Sequence, residues 1–253
     1  MSKLPLEEEY VIFTGLSRTQ EAVDLTTAYG GSPVVSPFIT TQEVKEAIDG
    51  ERLMAYRNKD WFIFTSQSSV AAFVNKIERY GLTPLFFQAK IAAVGAKTKA
   101  ALENNGFVVH FIPTTYSADV FIKEFPKISL ATEKCVFFKG NLAKQTIVDG
   151  LPNEVEEWII YETLEIKENV ERVKKLLESG KSCSLVFTSP SSVKAFHANV
   201  GKEIDYNLYT VCAIGHITKQ YLESLEIPVQ VMPNTYTILE LVNKLAAWKG
   251  REQ

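Results

Sequence analysis

Short apolar runs that do not alternate recur along the chain and stop at glycine or at hydroxylated residues. They are Tyr10-Val11-Ile12-Phe13-Thr14-Gly15, Phe62-Ile63-Phe64-Thr65-Ser66, Ile91-Ala92-Ala93-Val94-Gly95, Cys135-Val136-Phe137-Phe138-Lys139-Gly140 and Leu185-Val186-Phe187-Thr188-Ser189. Runs of this kind predict strands buried on both faces. Between them the apolar positions take helical spacing. Ala22, Leu25 and Ala28 close at Gly30-Gly31, Val70, Phe73, Val74, Ile77 and Tyr80 form one face that stops at Gly81, and Val173, Leu176 and Leu177 precede Gly180. A charged stretch from Gln42 to Lys59 and the residues from about Leu142 also read as helical. Strands alternating with helices, with no hairpin signal between them, predict parallel sheets covered on both faces. One segment differs: Glu156 to Ile166 alternates, with Tyr161, Thr163 and Glu165 on one face and Ile160, Glu162, Leu164 and Ile166 on the other, the pattern of a half-exposed strand.

The pattern is written twice. Thr65-Ser66, Ser68-Ser69-Val70, Ala72 and Phe73 return as Thr188-Ser189, Ser191-Ser192-Val193, Ala195 and Phe196. Ala93-Val94-Gly95 returns as Ala213-Ile214-Gly215, Thr98 as Thr218, Pro113 as Pro233, Tyr116 as Tyr236, Ser117 as Thr237, and Phe13-Thr14-Gly15 as Phe138-Lys139-Gly140. A spacing of roughly 120 to 125 residues means a duplicated domain, not a solenoid. Two like surfaces can then face each other across one cleft.

In an open parallel sheet, ligands bind beyond the carboxyl ends of the strands, where helix N-termini point. Here those ends carry Thr65, Ser66 and Ser68, then Gly95 and Thr98, Ser117, Lys139 and Gly140, Thr188, Ser189 and Ser191, Gly215 and Thr218, and Thr237. Free backbone N–H groups beside hydroxyls are the physics of an anion site, although each hydroxyl taken alone is as readily an ordinary N-cap. A set of such ends suits a ligand with many carboxylates or phosphates without requiring a basic protein.

Composition narrows this further. A chain of 253 residues with 46% hydrophobic and 23% charged residues has the make-up of a soluble globular protein, and a net charge of −3 argues against non-specific nucleic-acid binding. No apolar run approaches the length that spans a bilayer, and no secretory signal is readable in Met1 to Tyr10. Cys135, Cys183 and Cys212 sit within apolar runs as small buried hydrophobes, which suits a reducing cytoplasm. His110, His197 and His216 lack ligand spacing, so no metal is expected. There is no G-x-G-x-x-G after the first strand, Gly95-Ala96-Lys97-Thr98 lacks the adjacent Gly-Lys of a P-loop, and Ser189-Pro190-Ser191 has no base pattern beside it.

The ordered set Phe64-Thr65-Ser66…Ser69-Val70…Phe73, Ala93-Val94-Gly95…Lys97-Thr98, Pro113…Tyr116-Ser117, Lys139-Gly140, Tyr161…Thr163, Ser189-Pro190-Ser191, Ala213-Ile214-Gly215 and Pro233…Tyr236-Thr237 resembles the uroporphyrinogen-III synthase family over nearly the whole chain. The resemblance implies two similar flavodoxin-like α/β domains with parallel sheets, joined by a two-stranded β-ladder. Domain 1 would be 1–36 plus 167–253 and domain 2 would be 43–155, with 37–42 and 156–166 forming the ladder. It implies a cyclising lyase without a cofactor, which takes the linear tetrapyrrole octacarboxylate hydroxymethylbilane, removes its hydroxyl and closes it through a spiro intermediate that inverts the last ring, ring D. Catalysis would be mostly folding of the substrate into a reactive geometry. By matching position Tyr161 resembles the family's tyrosine that assists departure of the hydroxyl, a role open to a phenol because it is a proton donor at neutral pH. The hydroxylated strand ends become binding positions, many of them through backbone amides, while Tyr116 and Tyr236 pack the turns. A monomer is implied, in transient contact with the preceding pathway enzyme and with neither nucleic acid nor membrane. The alternatives are a relative that holds a tetrapyrrole or other polyanion without turnover, and a flavin-binding protein, for which the phosphate loop is missing.

Overall fold

The non-alternating runs become the parallel strands of two sheets in the computed structural model, which describes residues 3–15, 19–201 and 203–252. In chain order the elements are β1 (Glu9–Phe13), α1 (Thr19–Ala28), β2 (Ser32–Val35), β3 (Ile39–Glu43), α2 (Asp49–Ala55), β4 (Trp61–Phe64), α3 (Gln67–Arg79), β5 (Lys90–Ala93), α4 (Ala96–Asn104) and β6 (Val109–Phe111). They continue as α5 (Ala118–Glu124), β7 (Cys135–Gly140), α6 (Thr146–Gly150), β8 (Val155–Glu165), α7 (Lys167–Leu177), β9 (Ser182–Phe187), α8 (Pro190–Asn199), β10 (Thr210–Ala213), α9 (His216–Glu223) and α10 (Ile238–Glu252). The chain divides into one unit of residues 1–40 with 164–253 and a second of residues 41–163.

In the first unit the strand order is β10-β9-β1-β2, all parallel, and a bridge from Cys212 to Val231 extends the sheet beyond β10. Alternate residues of each strand feed opposite cores. Ile12, Leu185, Phe187, Val211 and Ala213 meet α7, α8 and α9, while Val11, Phe13, Val186 and Cys212 meet α1 and α10. In the second unit the order is β3-β8-β7-β4-β5-β6, with β8, β7, β4, β5 and β6 parallel. Phe62, Phe64, Phe138, Trp158 and Ile160 pack under α3 and α4, and Trp61, Ile63, Phe137 and Cys135 pack under α5 and α6. The edge strand β3 is antiparallel to β8: Val44 N–H donates to Ile160 O at 3.0 Å and Ile166 N–H to Phe38 O at 2.8 Å, the two-stranded ladder. The glycines read as helix stops are of the left-handed kind, with φ +85° at Gly30 and +66° at Gly81.

Three local expectations change. The stretch Gln42 to Lys59 is not one helix, because β3 runs on to Glu43 and helix begins only at Asp49. Ladder pairing continues through Val44, and a turn closed by Asp49 N–H to Glu46 O at 3.1 Å leads into the helix. Helix after β7 starts at Thr146 rather than near Leu142: Asn141 N–H donates to Tyr161 O and its side-chain oxygen accepts the Thr163 N–H, so this turn stays tied to β8. Finally, the alternation of β8 is interrupted. Lys139 pairs with Ile159 but Gly140 pairs with Tyr161, a bulge that carries both Ile160 and Tyr161 to the same core cluster. The three cysteines are free and buried, and burial pushes the Cys135 thiol up to about 12 and that of Cys183 to about 11.

Candidate functional site

The second unit assembles the clearest chemistry at the carboxyl ends of its strands. Ser66 ends the β4 segment and caps α3, its Oγ accepting the Ser69 N–H at 3.1 Å. The same oxygen lies 3.2 Å from the Tyr161 hydroxyl. With Ser66 donating, the phenol keeps its own proton for another acceptor. The β8 bulge brings Tyr161 into this position, and the absent side chain at Gly140 lets it stay: a Cβ on Gly140 would stand 2.4 Å from Tyr161 Cζ. Ser66, Gly140 and Tyr161 therefore form one contact set.

Tyr161 lines a groove of about 300 Å³ over the first turns of α3. Its walls are hydroxyls (Thr41, Ser68) and amides (Gln42, Gln67, Asn75), and Ala71 and Ala72 leave it room. The remaining lining residue is Glu43, whose two oxygens each accept from Arg79 Nη2 at 2.6 Å and which lies 3.5 Å from Lys76 Nζ. The Glu43 carboxylate holds the Arg79 guanidinium above its usual pKa.

The other strand ends divide into capped and open. Ser117 caps α5 by accepting Val120 N–H, Ser189 caps α8 by accepting Ser192 N–H, and Thr237 accepts Glu240 N–H at the start of α10. Ser191 Oγ lies 3.0 Å from Ser189 Oγ. Hydroxyls named as ligand contacts are thus bonded within their own caps. Helices α4 and α9 instead follow Gly95 and Gly215, which offer no side-chain cap to their first N–H groups. Gly95 is open, whereas the Tyr236 ring lies over Gly215 and its hydroxyl is 3.1 Å from His216 Nδ1. Thr65 and Thr188 are half-buried at their strand ends, and Gly15 closes directly against Thr188.

Several expectations are corrected. Thr98 and Thr218 are third residues of α4 and α9 and are buried, so their hydroxyls are closed to a ligand. Lys139 is buried and bonds Glu157 Oε1 at 2.7 Å. It alternates with Phe138, so it lies on the Phe137 face, away from the Tyr161 core. Tyr116 is 62% exposed and does not pack its turn. His110 Nδ1 accepts the Ile91 N–H between β5 and β6. Sequence reasoning missed Gln67, Asn75 and Glu43. The first two could have been found as an i, i+4, i+8 stripe with Ala71 on α3, while Glu43 was hidden in the stretch read as helix.

A family model described as "Uroporphyrinogen-III synthase HemD" matches residues 20–243. The chain is 28% identical over 214 residues to a uroporphyrinogen-III synthase of Chlorobaculum parvum, covering 82% of this chain and 85% of that protein. Among solved structures it is similar to a mutant uroporphyrinogen III synthase of Thermus thermophilus, with TM-score 0.74, 19% identity and coverage of 96% and 99% of the two chains. It is also similar to the uroporphyrinogen-III synthetase of Helicobacter pylori, with TM-score 0.61, 17% identity and coverage of 94% and 98%.

Proposed function

The chain belongs to the uroporphyrinogen-III synthase family of haem biosynthesis, and from that premise we propose that it cyclises hydroxymethylbilane to uroporphyrinogen III with loss of water and inversion of ring D. The observation that carries the reading is the Tyr161 hydroxyl, held beside Ser66 Oγ at the rim of a groove lined by hydroxyls, amides and the Glu43 carboxylate. The bilane's hydroxyl is a poor leaving group. Tyr161 donates a proton to it as the C–O bond breaks, so that water departs. The other terminal ring then attacks, and the spiro intermediate opens and recloses with that ring inverted. One C–O bond is exchanged for one C–C bond with no net redox change, so the reaction asks for no electron carrier.

Because the bilane closes unaided to the wrong isomer, the protein's main contribution is to select geometry. The open N-terminus of α4 offers N–H groups to substrate carboxylates, favouring an anion by about 0.3–1 kcal/mol where exposed. Ser66 and Gly140 act by fixing where the Tyr161 proton points. The protein works in this reading as a cytoplasmic monomer that receives the bilane from the preceding enzyme.

The test is direct. The pure protein is given hydroxymethylbilane and uroporphyrinogens I and III are resolved; isomer III above the protein-free control is expected. Isomer I alone would leave a polyanion-binding relative without turnover. Tyr161→Phe is expected to lower the rate of isomer III formation by about 10²-fold while product affinity is retained. Unchanged turnover would remove Tyr161 from the mechanism.

A further inference from the structure

Glu43 stands across the ladder from Tyr161. The bonds Val44 N–H to Ile160 O and Ile166 N–H to Phe38 O belong to one antiparallel register, and that register sets residue 43 opposite residue 161 as a non-hydrogen-bonded pair. Side chains of such a pair share a face with Cβ atoms roughly 4.5–5.5 Å apart, and both line the same groove. We propose that Glu43 is a catalytic residue of the cyclisation, its carboxylate stabilising the positive charge that develops on the substrate ring as the hydroxyl leaves. The inference rests on the cyclase reading above.

The chemistry follows from a hydroxymethyl group on the α-carbon of a pyrrole. Its C–O bond breaks with the electron pair on oxygen, and the Tyr161 proton turns that oxygen into water. The ring nitrogen lone pair supplies a new double bond to the methylene carbon, leaving a cation whose charge rests largely on the ring N–H. The attacking ring forms its C–C bond to that carbon, and the N–H proton it gives up restores the phenol and leaves the spiro intermediate neutral. The step therefore needs an acid at the oxygen and an anion near the ring, and the groove holds Tyr161 and Glu43 as facing neighbours.

The surroundings of Glu43 fit this task. It is the one carboxylate among the described residues that line the groove, and its other walls are neutral. Arg79 and Lys76 fix it, while Asp49 in turn accepts from Lys76 Nζ at 2.5 Å, so two acids and two bases balance. A carboxylate offers about four acceptor sites, which leaves capacity for a ring N–H beyond the Arg79 contacts. A fixed charge aimed at where charge develops needs no reorganisation during reaction.

The experiment compares wild type, Glu43→Gln and Glu43→Asp by kcat for isomer III and by anaerobic titration of uroporphyrinogen III, which carries no such cation. Glu43→Gln should lose about 10²-fold in kcat. Its product affinity should stay within about two-fold, as expected of an interaction made only on the way to reaction. Glu43→Asp should fall between Glu43→Gln and wild type. Wild-type turnover in Glu43→Gln, or parallel loss of kcat and product affinity, would overturn the assignment. If Glu43→Gln shows no cooperative unfolding transition, Glu43→Asp is judged by the same split. A wild-type protein making only isomer I sinks the cyclase reading and this one together; wild-type isomer III with a fully active Glu43→Gln sinks Glu43 alone.

Discussion

Replacing Gly140 with alanine tests how Tyr161 is held. An alanine Cβ there would lie 2.4 Å from Tyr161 Cζ, 2.6 Å from Cε2 and 2.7 Å from the hydroxyl oxygen. Carbon atoms rest at roughly 3.5–4.0 Å, so the ring must retreat by about 1 Å. Gly140 is a buried member of β7, tied to β4 and β8, so the phenol moves rather than the strand. That retreat stretches the 3.2 Å contact with Ser66 beyond hydrogen-bonding distance. Overpacking of this kind costs about 1–3 kcal/mol, and misplacing a catalytic group by about 1 Å costs about 10²-fold in rate. Urea unfolding of wild type, Gly140→Ala, Tyr161→Ala and the double variant isolates the clash. With the ring gone, the alanine should cost close to nothing, so the coupling term recovers the whole penalty. As a control, Gly95→Ala should cost no more than the roughly 1 kcal/mol of a poorer N-cap and the same with or without the Tyr161 ring, because nothing lies within 4 Å of a Cβ there and φ is −136°. Equal destabilisation by Gly140→Ala with and without the Tyr161 ring, or an undiminished rate of isomer III formation in Gly140→Ala, would refute the packing argument.

Two further outcomes concern stability. Lys76 and Asp49 are both buried, so Lys76→Met strands Asp49 and should cost about 3–5 kcal/mol in urea unfolding; adding Asp49→Asn should return a large part, and no return would mean the pair is not the cause. At acid pH, burial raises the Glu156 pKa but hydrogen bonds from Lys59 and Tyr56 outweigh it and hold the group below its ordinary 4.5. The unfolded chain then takes up the proton first, so this stabilisation is whole above about pH 4.5 and is lost as pH falls through the lower folded value. Glu156→Gln should flatten the acid limb of the stability curve, and a limb superimposable on wild type would contradict the assignment. At the alkaline end, burial holds the Tyr206 phenol above its ordinary 10, so its contribution is whole below pH 10 and falls as the unfolded chain ionises; Tyr206→Phe should flatten that limb.

What could be read from the sequence was periodic. Phe62 to Phe64 and Cys135 to Phe138 are apolar without alternation, and burial on both faces of a parallel sheet is the packing that tolerates this. The duplication was legible because both copies need the same strand end and helix cap, as Ser66 and Ser189 show by accepting N–H groups from Ser69 and Ser192. Contacts that depend on register were hidden. Tyr161 reaches Ser66 because β8 carries one extra residue opposite Lys139 and Gly140, and no local pattern announces that residue. Lys139 looked like a free cation at a strand end, but its alternation with Phe138 turns it towards Glu157. Glu43 was masked because a charged run looks helical when its partners, Lys76 and Arg79, lie on a helix far along the chain.

The two units share one spatial arrangement with the chain started at different points. From the Val231 segment through β10, β9, β1 and β2, the first sheet matches β6, β5, β4, β7 and β8 of the second, strand for strand. Phe13 pairs with Val35 as Phe138 pairs with Trp158, so the residue three places beyond the second partner is Phe38 in one unit and Tyr161 in the other. Phe38 is fully buried, with its ring stacked on Phe196 at 5.0 Å and against Phe187 at 6.4 Å. Tyr161 sits at the same place in the plan, but the bulge and Gly140 bring its hydroxyl to Ser66 and to the rim of a polar groove. The duplicated scaffold thus supplies one aromatic position twice, and only the second unit gives it a proton to donate. That asymmetry explains why Phe38 is read as core and Tyr161 as chemistry, although the strands that carry them follow the same plan.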